Sequence, residues 1–148
     1  MKITSRADYA LHAMLYMAFI NGKHAVTITE IARAESIPRE WLAKILKELV
    51  SKGLLRSRRG IKGGYFLTRP LKEYTFLRII EAIDGPMSPS SCTRPDNTGV
   101  RHRKGKCPAF VYMDNLKQIL KKDLAAISLD EIPYEKYYQT GRGNGARK

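Results

Sequence analysis

The chain is poor in cysteine and in acid. Of 148 residues only two are cysteine, Cys92 and Cys107, and 14 acidic residues face 27 basic ones. Fourteen residues separate the two thiols, so the Cys-x2–4-Cys pair of common structural zinc sites is absent. No apolar run approaches the ~18 residues of a membrane span. The opening Met1–Asp8 stretch sets an acid and polar residues where a secretory signal needs an apolar core. The expected location is therefore the cytoplasm, where a permanent structural disulfide is disfavoured. There is no nucleotide-binding loop, nucleophile elbow or metalloprotease helix, so the sequence does not read as an enzyme.

The acid deficit leaves a net charge of +13. Such an excess calls for a polyanionic partner, nucleic acid before an anionic membrane surface. A hydrophobic content of 43% supplies an ordinary core. The length fits one domain, or a small domain with an extension.

Apolar spacing gives the elements. Ala7, Leu11, Met14, Leu15, Ala18 and Phe19 predict a helix over residues 6–21, ended by Asn21-Gly22. Thr27 and Glu30 have capping-box spacing before a short helix to about Glu35. Ser36-Ile37-Pro38 forces a break, and a third helix runs from about Pro38 to Lys52. Its buried stripe is Leu42, Ile45, Leu46, Leu49 and Val50, and Trp41 is expected to pack inward beside Leu42 or to lie partly exposed. Strands are predicted at 54–58 and 65–68 around a turn with three glycines, Gly60, Gly63 and Gly64. A helix over 75–84 follows, stopped by Gly85-Pro86. Residues 85–108 read as a loop holding both cysteines. Pro108 opens a last helix in which Met113, Leu116, Ile119 or Leu120, Leu124 and Ile127 recur at near-heptad spacing.

A helix, a short helix, a tight turn, a helix and a basic hairpin make the winged helix-turn-helix pattern. The fold class is mainly α with a small β-hairpin wing and a long final helix. A helix fits the major groove, where base edges carry a unique donor and acceptor code. The third helix offers Arg39, Glu40, Lys44 and Lys47, the first two in the turn that usually reaches the bases. The hairpin adds Arg56, Arg58, Arg59 and Lys62, with Gly63 among the glycines that let backbone approach a phosphate. Arginine suits a narrow minor groove, where the potential is most negative.

Residues 1 to about 128 resemble the Rrf2 family of bacterial transcription regulators, whose members include an iron–sulfur cluster regulator, a nitric-oxide sensor and a cysteine-metabolism repressor. The resemblance is carried by Ile3-Thr4-Ser5-Arg6-Ala7-Asp8-Tyr9-Ala10-Leu11, by Ile37 to Leu49, and by the wing from Gly53 to the Gly63-Gly64-Tyr65 signature. Leu67 to Pro70 and Ile79 to Gly85 match as well. It implies a homodimer that crosses long helices between subunits and reads a pseudo-palindromic site on double-stranded DNA. The expected organisation is a DNA-binding unit at 1–84, a sensor loop at 85–108, a dimerisation helix at 109–130 and a partly disordered tail at 131–148.

In this family the loop before the long helix often carries three cysteines that bind an iron–sulfur cluster. Cys92 and Cys107 match the outer two, while Asn97 and Thr98 occupy the neighbourhood of the middle one. The resemblance implies that some members use a carboxylate at the position of Asp8, or a carboxylate and a histidine on that helix, donated by the partner subunit. Asp8 and His12 lie four residues apart and share a helix face. Two thiolates, an imidazole and a carboxylate suit a [2Fe–2S] cluster, the expected cofactor. His102, inside the loop, is a further candidate ligand. A zinc site, a reversible disulfide and two idle thiols in a cofactor-free repressor, controlled by a partner protein or small molecule, remain alternatives here.

Overall fold

Alanine sets the geometry of the first helix. In the computed structural model, which describes residues 3–97, 99 and 104–138, α1 spans Ser5–Ile20. Ala7, Ala10 and Ala13 are fully buried, and Met14, Met17 and Ala18 nearly so. Short side chains at three- and four-residue steps clear one face, and α1 packs there against the other helices. Thr4 caps α1 by accepting from the Ala7 amide at 3.2 Å, and its hydroxyl also bonds the Asp84 carboxylate. Asn21 closes the helix in the left-handed conformation, φ 45°.

Helix α2, Ile28–Glu35, starts where Thr27 accepts from the Glu30 amide at 3.2 Å. The other half of the expected capping box does not form. Glu30 instead accepts the Tyr16 hydroxyl at 2.8 Å and lies 2.8 Å from His24 Nε2. Ser36 takes a left-handed turn, φ 53°, Pro38 fixes the re-entry, and α3 runs Arg39–Ser51. Its buried stripe is Leu42, Ile45, Leu46 and Leu49. Of the two placements open to Trp41, the outward one is found: it is 52% exposed. One position before buried Leu42, it falls about 100° around the helix and off the core face.

Strands β1 (Leu55–Arg58) and β2 (Gly64–Leu67) pair antiparallel, Leu55 opposite Leu67 and Arg58 opposite Gly64. Val26 pairs with Tyr65 through amide–carbonyl bonds of 2.8 and 3.1 Å, which fastens the hairpin to the α1–α2 connection. Gly64 is required there: at φ 147°, a Cβ would lie 2.8 Å from the Val26 oxygen.

Helix α4 spans Phe76–Asp84, capped by Thr75, and buries Ile79, Ile80 and Ile83. Helix α5 spans Phe110–Ala126 and has no fully buried residue. Its expected stripe divides. Met113, Leu120 and Leu124 are half-buried, whereas Leu116 and Ile119 are exposed together with Val111 and Tyr112. Beyond α5 the chain returns to the core, where Leu129 is fully buried and its amide bonds the Tyr74 carbonyl at 2.9 Å. The first part of the expected tail is ordered: a 3-10 turn at Leu129–Glu131 leads into the short helix α6, Tyr134–Tyr137. The reason is aromatic packing, since Tyr138 stacks on Phe19 with ring centroids 4.8 Å apart. The remainder of that tail lies outside the described residues.

Tyr74 joins the hairpin to the helical core. It is fully buried, donates to the Leu54 carbonyl at 2.9 Å, and accepts from the Thr68 and Arg69 amides at 2.8 and 3.1 Å. Tyr74→Phe leaves those backbone groups without their partner, so the unfolding free energy from denaturant titration should fall by about 1–3 kcal/mol.

Candidate nucleic-acid interface and thiol loop

Two elements present cations on the DNA-reading side of the pattern. On α3, packing of Leu42, Ile45, Leu46 and Leu49 turns Arg39, Glu40, Lys44 and Lys47 outward, and all four are exposed. Glu48, on the same helix, is already paired with Arg6. Trp41 belongs to this surface too. The Lys44 ammonium lies 5.5 Å from its ring centroid, a cation–π contact that holds the indole in the outer face. Sequence reasoning missed Trp41 because a lone tryptophan beside a core leucine looks like core.

In the hairpin Leu55 points inward, while Arg56, Ser57 and Arg58 are exposed. The Arg56 and Arg58 guanidinium carbons each lie 5.1 Å from the Phe66 ring centroid. Arg58 also donates to the Lys62 carbonyl at 3.2 Å, closing the loop on itself. Arg59 and Lys62 are exposed at the tip around Ile61, which is fully exposed. Gly63 is packed so tightly that a Cβ would lie 2.2 Å from the Arg58 carbonyl oxygen. The result is a stiff basic loop carrying one apolar side chain at its end.

The thiol loop is built differently. Cys92 lies in a 3-10 turn, Ser91–Thr93, and is buried, with Ser90 Oγ 3.0 Å from its sulfur. Thr93, also buried, meets the Ser88 hydroxyl at 2.7 Å. Lys117 of α5 donates to the Thr93 carbonyl at 2.9 Å, so the turn is fastened to the last long helix. Asn97 holds the loop locally, accepting from the Gly99 amide at 3.0 Å. Cys107 precedes α5 and is half-buried, and neither cysteine is in a disulfide. His102 and Thr98 lie outside the described residues.

Asp8 and His12 do share one face of α1, with His12 Nε2 3.5 Å from Asp8 Oδ1. The imidazole has a second carboxylate neighbour that sequence reasoning did not place there: Glu35, at the end of α2, lies 3.5 Å from His12 Nδ1. Glu35 in turn accepts the Tyr138 hydroxyl. Burial, together with the bond to Glu35, raises the Tyr138 hydroxyl above its ordinary pKa, and burial with the bond to Glu30 does the same for Tyr16. Both phenols therefore stay neutral donors at physiological pH.

Thiolates, an imidazole and a carboxylate, the donor types of Cys92, Cys107, His12 and Asp8, are of the kind that holds a [2Fe–2S] cluster. Among the described residues no group of three or more His, Cys, Asp and Glu side chains is gathered so that it could hold a metal ion. The chain carries two cysteines outside any disulfide, and an imidazole–carboxylate pair about half exposed on α1. No helix among the described residues is long and apolar enough to cross a membrane.

Residues 3–135 match the sequence profile of the Rrf2 family, described as an iron-dependent transcriptional regulator. A Mycobacterium tuberculosis protein named as an HTH-type transcriptional regulator, Rv1287, is 36% identical over 88 residues, 60% of this chain. That alignment spans 55% of the Mycobacterium protein's own length. A similarly named Neisseria meningitidis protein, NMB1378, is 26% identical over 99% of this chain and 95% of its own. Two solved structures share the fold with TM-scores of 0.73 each. CymR, the global cysteine regulator of B. subtilis, is 22% identical, with 94% of this chain and 99% of that one covered. IscR of T. potens is 21% identical, with 97% and 94% covered. These relatives are regulators, and none of them is named as an enzyme.

The wing supplies a direct test. Gly63→Ala must reshape the loop at a strain of about 1–3 kcal/mol. In fluorescence titrations it should weaken duplex DNA binding by about tenfold or more, with the helical circular-dichroism signal retained.

Proposed function

The chain belongs to the Rrf2 family, and from that premise we propose that it is a DNA-binding transcription regulator acting as a homodimer, with an iron–sulfur cluster held between the two copies as its sensor. The observation that carries this reading is the placement of donors: two cysteines in the segment before α5, an imidazole beside a carboxylate on α1, and, among the described residues, no group of three or more donors gathered in one chain. The alternative is a cofactor-free repressor controlled by a partner protein or small molecule. It is favoured by one observation: Cys92 already has a hydroxyl neighbour, Ser90 Oγ at 3.0 Å, within its own loop.

The parts have separable tasks. Arg39 and Glu40, in the first turn of α3, reach for base edges, and Trp41 offers an apolar contact of the kind a thymine methyl accepts. Lys44 and Lys47 hold phosphates. Arg56, Arg58, Arg59 and Lys62 bring the wing to the minor groove, where close backbone approach at Gly63 suits the narrow space. The exposed row Tyr112, Leu116 and Ile119 on α5 is the seam for a second copy, spaced four and three residues apart on one helix face. Two copies related by a two-fold axis then read the two halves of a pseudo-palindromic operator.

Cys92 and Cys107 of one copy with Asp8 and His12 of the other would hold the cluster. When bound, the cluster supplies one-electron chemistry at a potential that histidine ligation raises. The chain's own contribution is mechanical. The Lys117–Thr93 bond ties the thiol turn to α5, so ordering or release of the loop is felt at the seam. Asp8 and His12 sit on α1, whose opposite face is the core of the DNA-reading unit. A change at the donors therefore acts on the helix against which the reader packs.

Protein purified without oxygen, with iron and sulfide counted and the visible spectrum recorded, tests the sensor. Iron and acid-labile sulfide with visible absorption are expected, and their absence even after reconstitution leaves the cofactor-free reading. For the reader, Arg39→Ala should cost about 1–3 kcal/mol and relax preference at one base position. Arg59→Ala should weaken all sequences alike and reduce the salt slope by about one. Titrations at several salt concentrations separate the two.

A further inference from the structure

We propose that Glu35 is a positioning residue for His12, fixing the imidazole so that Nε2 faces outward beside Asp8 as a ready-made ligand pair; the proposal rests on the cluster reading above. His12 has a carboxylate 3.5 Å from each ring nitrogen, Asp8 at Nε2 and Glu35 at Nδ1. The two acids are not equivalent. The Asp8 side chain is 57% exposed and the Glu35 side chain 10%. Solvent screens the first far more than the second, so in the neutral imidazole Glu35 favours the tautomer protonated at Nδ1. In that tautomer Nε2 is the open donor atom, beside the Asp8 carboxylate. A carboxylate behind a metal-bound histidine is the usual way proteins fix a ligand's tautomer and raise its basicity.

Glu35 is itself held. The Tyr138 hydroxyl donates to Oε1, and the Tyr138 ring is fixed by stacking on Phe19 and by an edge contact with Tyr16 at 5.7 Å. The position of Glu35 in the chain adds a consequence. It is the last residue of α2, followed by the left-handed Ser36 and by Pro38, from which α3 departs. The residue that orients the ligand therefore stands at the turn that aims the recognition helix. A shift of His12 toward or away from iron bears on that turn through one side chain.

The test uses full-length parent, Glu35→Gln, Tyr138→Phe and Asp8→Ala. In cofactor-free protein, long-range proton–nitrogen NMR of the His12 ring is recorded at a pH where the imidazole is neutral. The parent should carry its proton on Nδ1, and Glu35→Gln should show a mixture of tautomers. After anaerobic reconstitution with ferrous iron and sulfide, loss of visible absorption to EDTA should be about tenfold faster in Glu35→Gln than in the parent, the low end for such a supporting partner. Tyr138→Phe keeps the carboxylate but loosens it, and should move both readouts in the same direction by less. It also serves if Glu35→Gln does not fold. A parent with its proton on Nε2 overturns the proposal. So do variants that match the parent in both readouts while Asp8→Ala loses its cluster faster, and then Glu35 alone is removed from the account. A parent that takes up no iron sinks the cluster reading and this inference with it.

Discussion

Close packing on one face of α1 is the constraint on which the rest of the structure depends. Three alanines with no exposed surface let neighbouring elements approach the helix backbone, and Met14, Met17 and Ala18 extend the same face. α2, α3, α4 and the second strand of the hairpin all contact it. The recognition helix and the wing are thus aimed from one rigid support. A larger side chain at Ala10 or Ala13 would push those elements apart, because packed interiors cannot absorb extra methylenes without strain. The same helix turns Asp8 and His12 to the outside. One element carries the core of the reader on one side and the proposed sensor donors on the other, so the two properties are joined by a single rigid body.

The outer surface of α5 bears on the proposed homodimer. α5 leaves Val111, Tyr112, Leu116 and Ile119 exposed, which a helix in a finished core would not do. Cys107 lies just before that helix, and the Lys117–Thr93 bond fixes the turn of Cys92 to it. The imidazole and carboxylate lie on α1 with about half their surface open. The proposed second copy would cover the exposed α5 row and bring the donors of α1 to the cysteines. Two-fold symmetry would satisfy both at once and would set the spacing of the two reading helices.

Much of this was legible in the sequence, for identifiable reasons. The turn at Ser36-Ile37-Pro38 follows from proline geometry. The turn at Gly60, Gly63 and Gly64 follows from glycine's turn preference, and the cap at Thr27 from hydroxyl chemistry. The Asp8–His12 pair needed only helical spacing. What escaped depended on tertiary placement. Trp41 is one residue away from the buried stripe, and its outward position is held by Lys44, which no period reveals. Glu30 spends its carboxylate on Tyr16 and His24 rather than on its own cap, because those partners arrive from a different element. Glu35 marked only the approximate end of the second helix in the sequence, and the fold sets it against His12. Tyr138 lay in a tail expected to be partly disordered, and the aromatic surface of Tyr16 and Phe19 holds it in place.

The claim that the sensing site is completed only between two copies is tested most directly by iron counting on mixed dimers. One chain carries Asp8→Ala and His12→Ala, the other Cys92→Ala and Cys107→Ala, and the mixed species is purified without oxygen through two different affinity tags. In the mixed dimer one of the two sites keeps all four donors, whereas neither homodimer has an intact site. Iron and sulfide in the mixed dimer at about half the parent amount, with none in either homodimer, is the predicted result. Iron retained by the Asp8→Ala, His12→Ala homodimer would contradict the account, as would an empty mixed dimer beside a loaded parent.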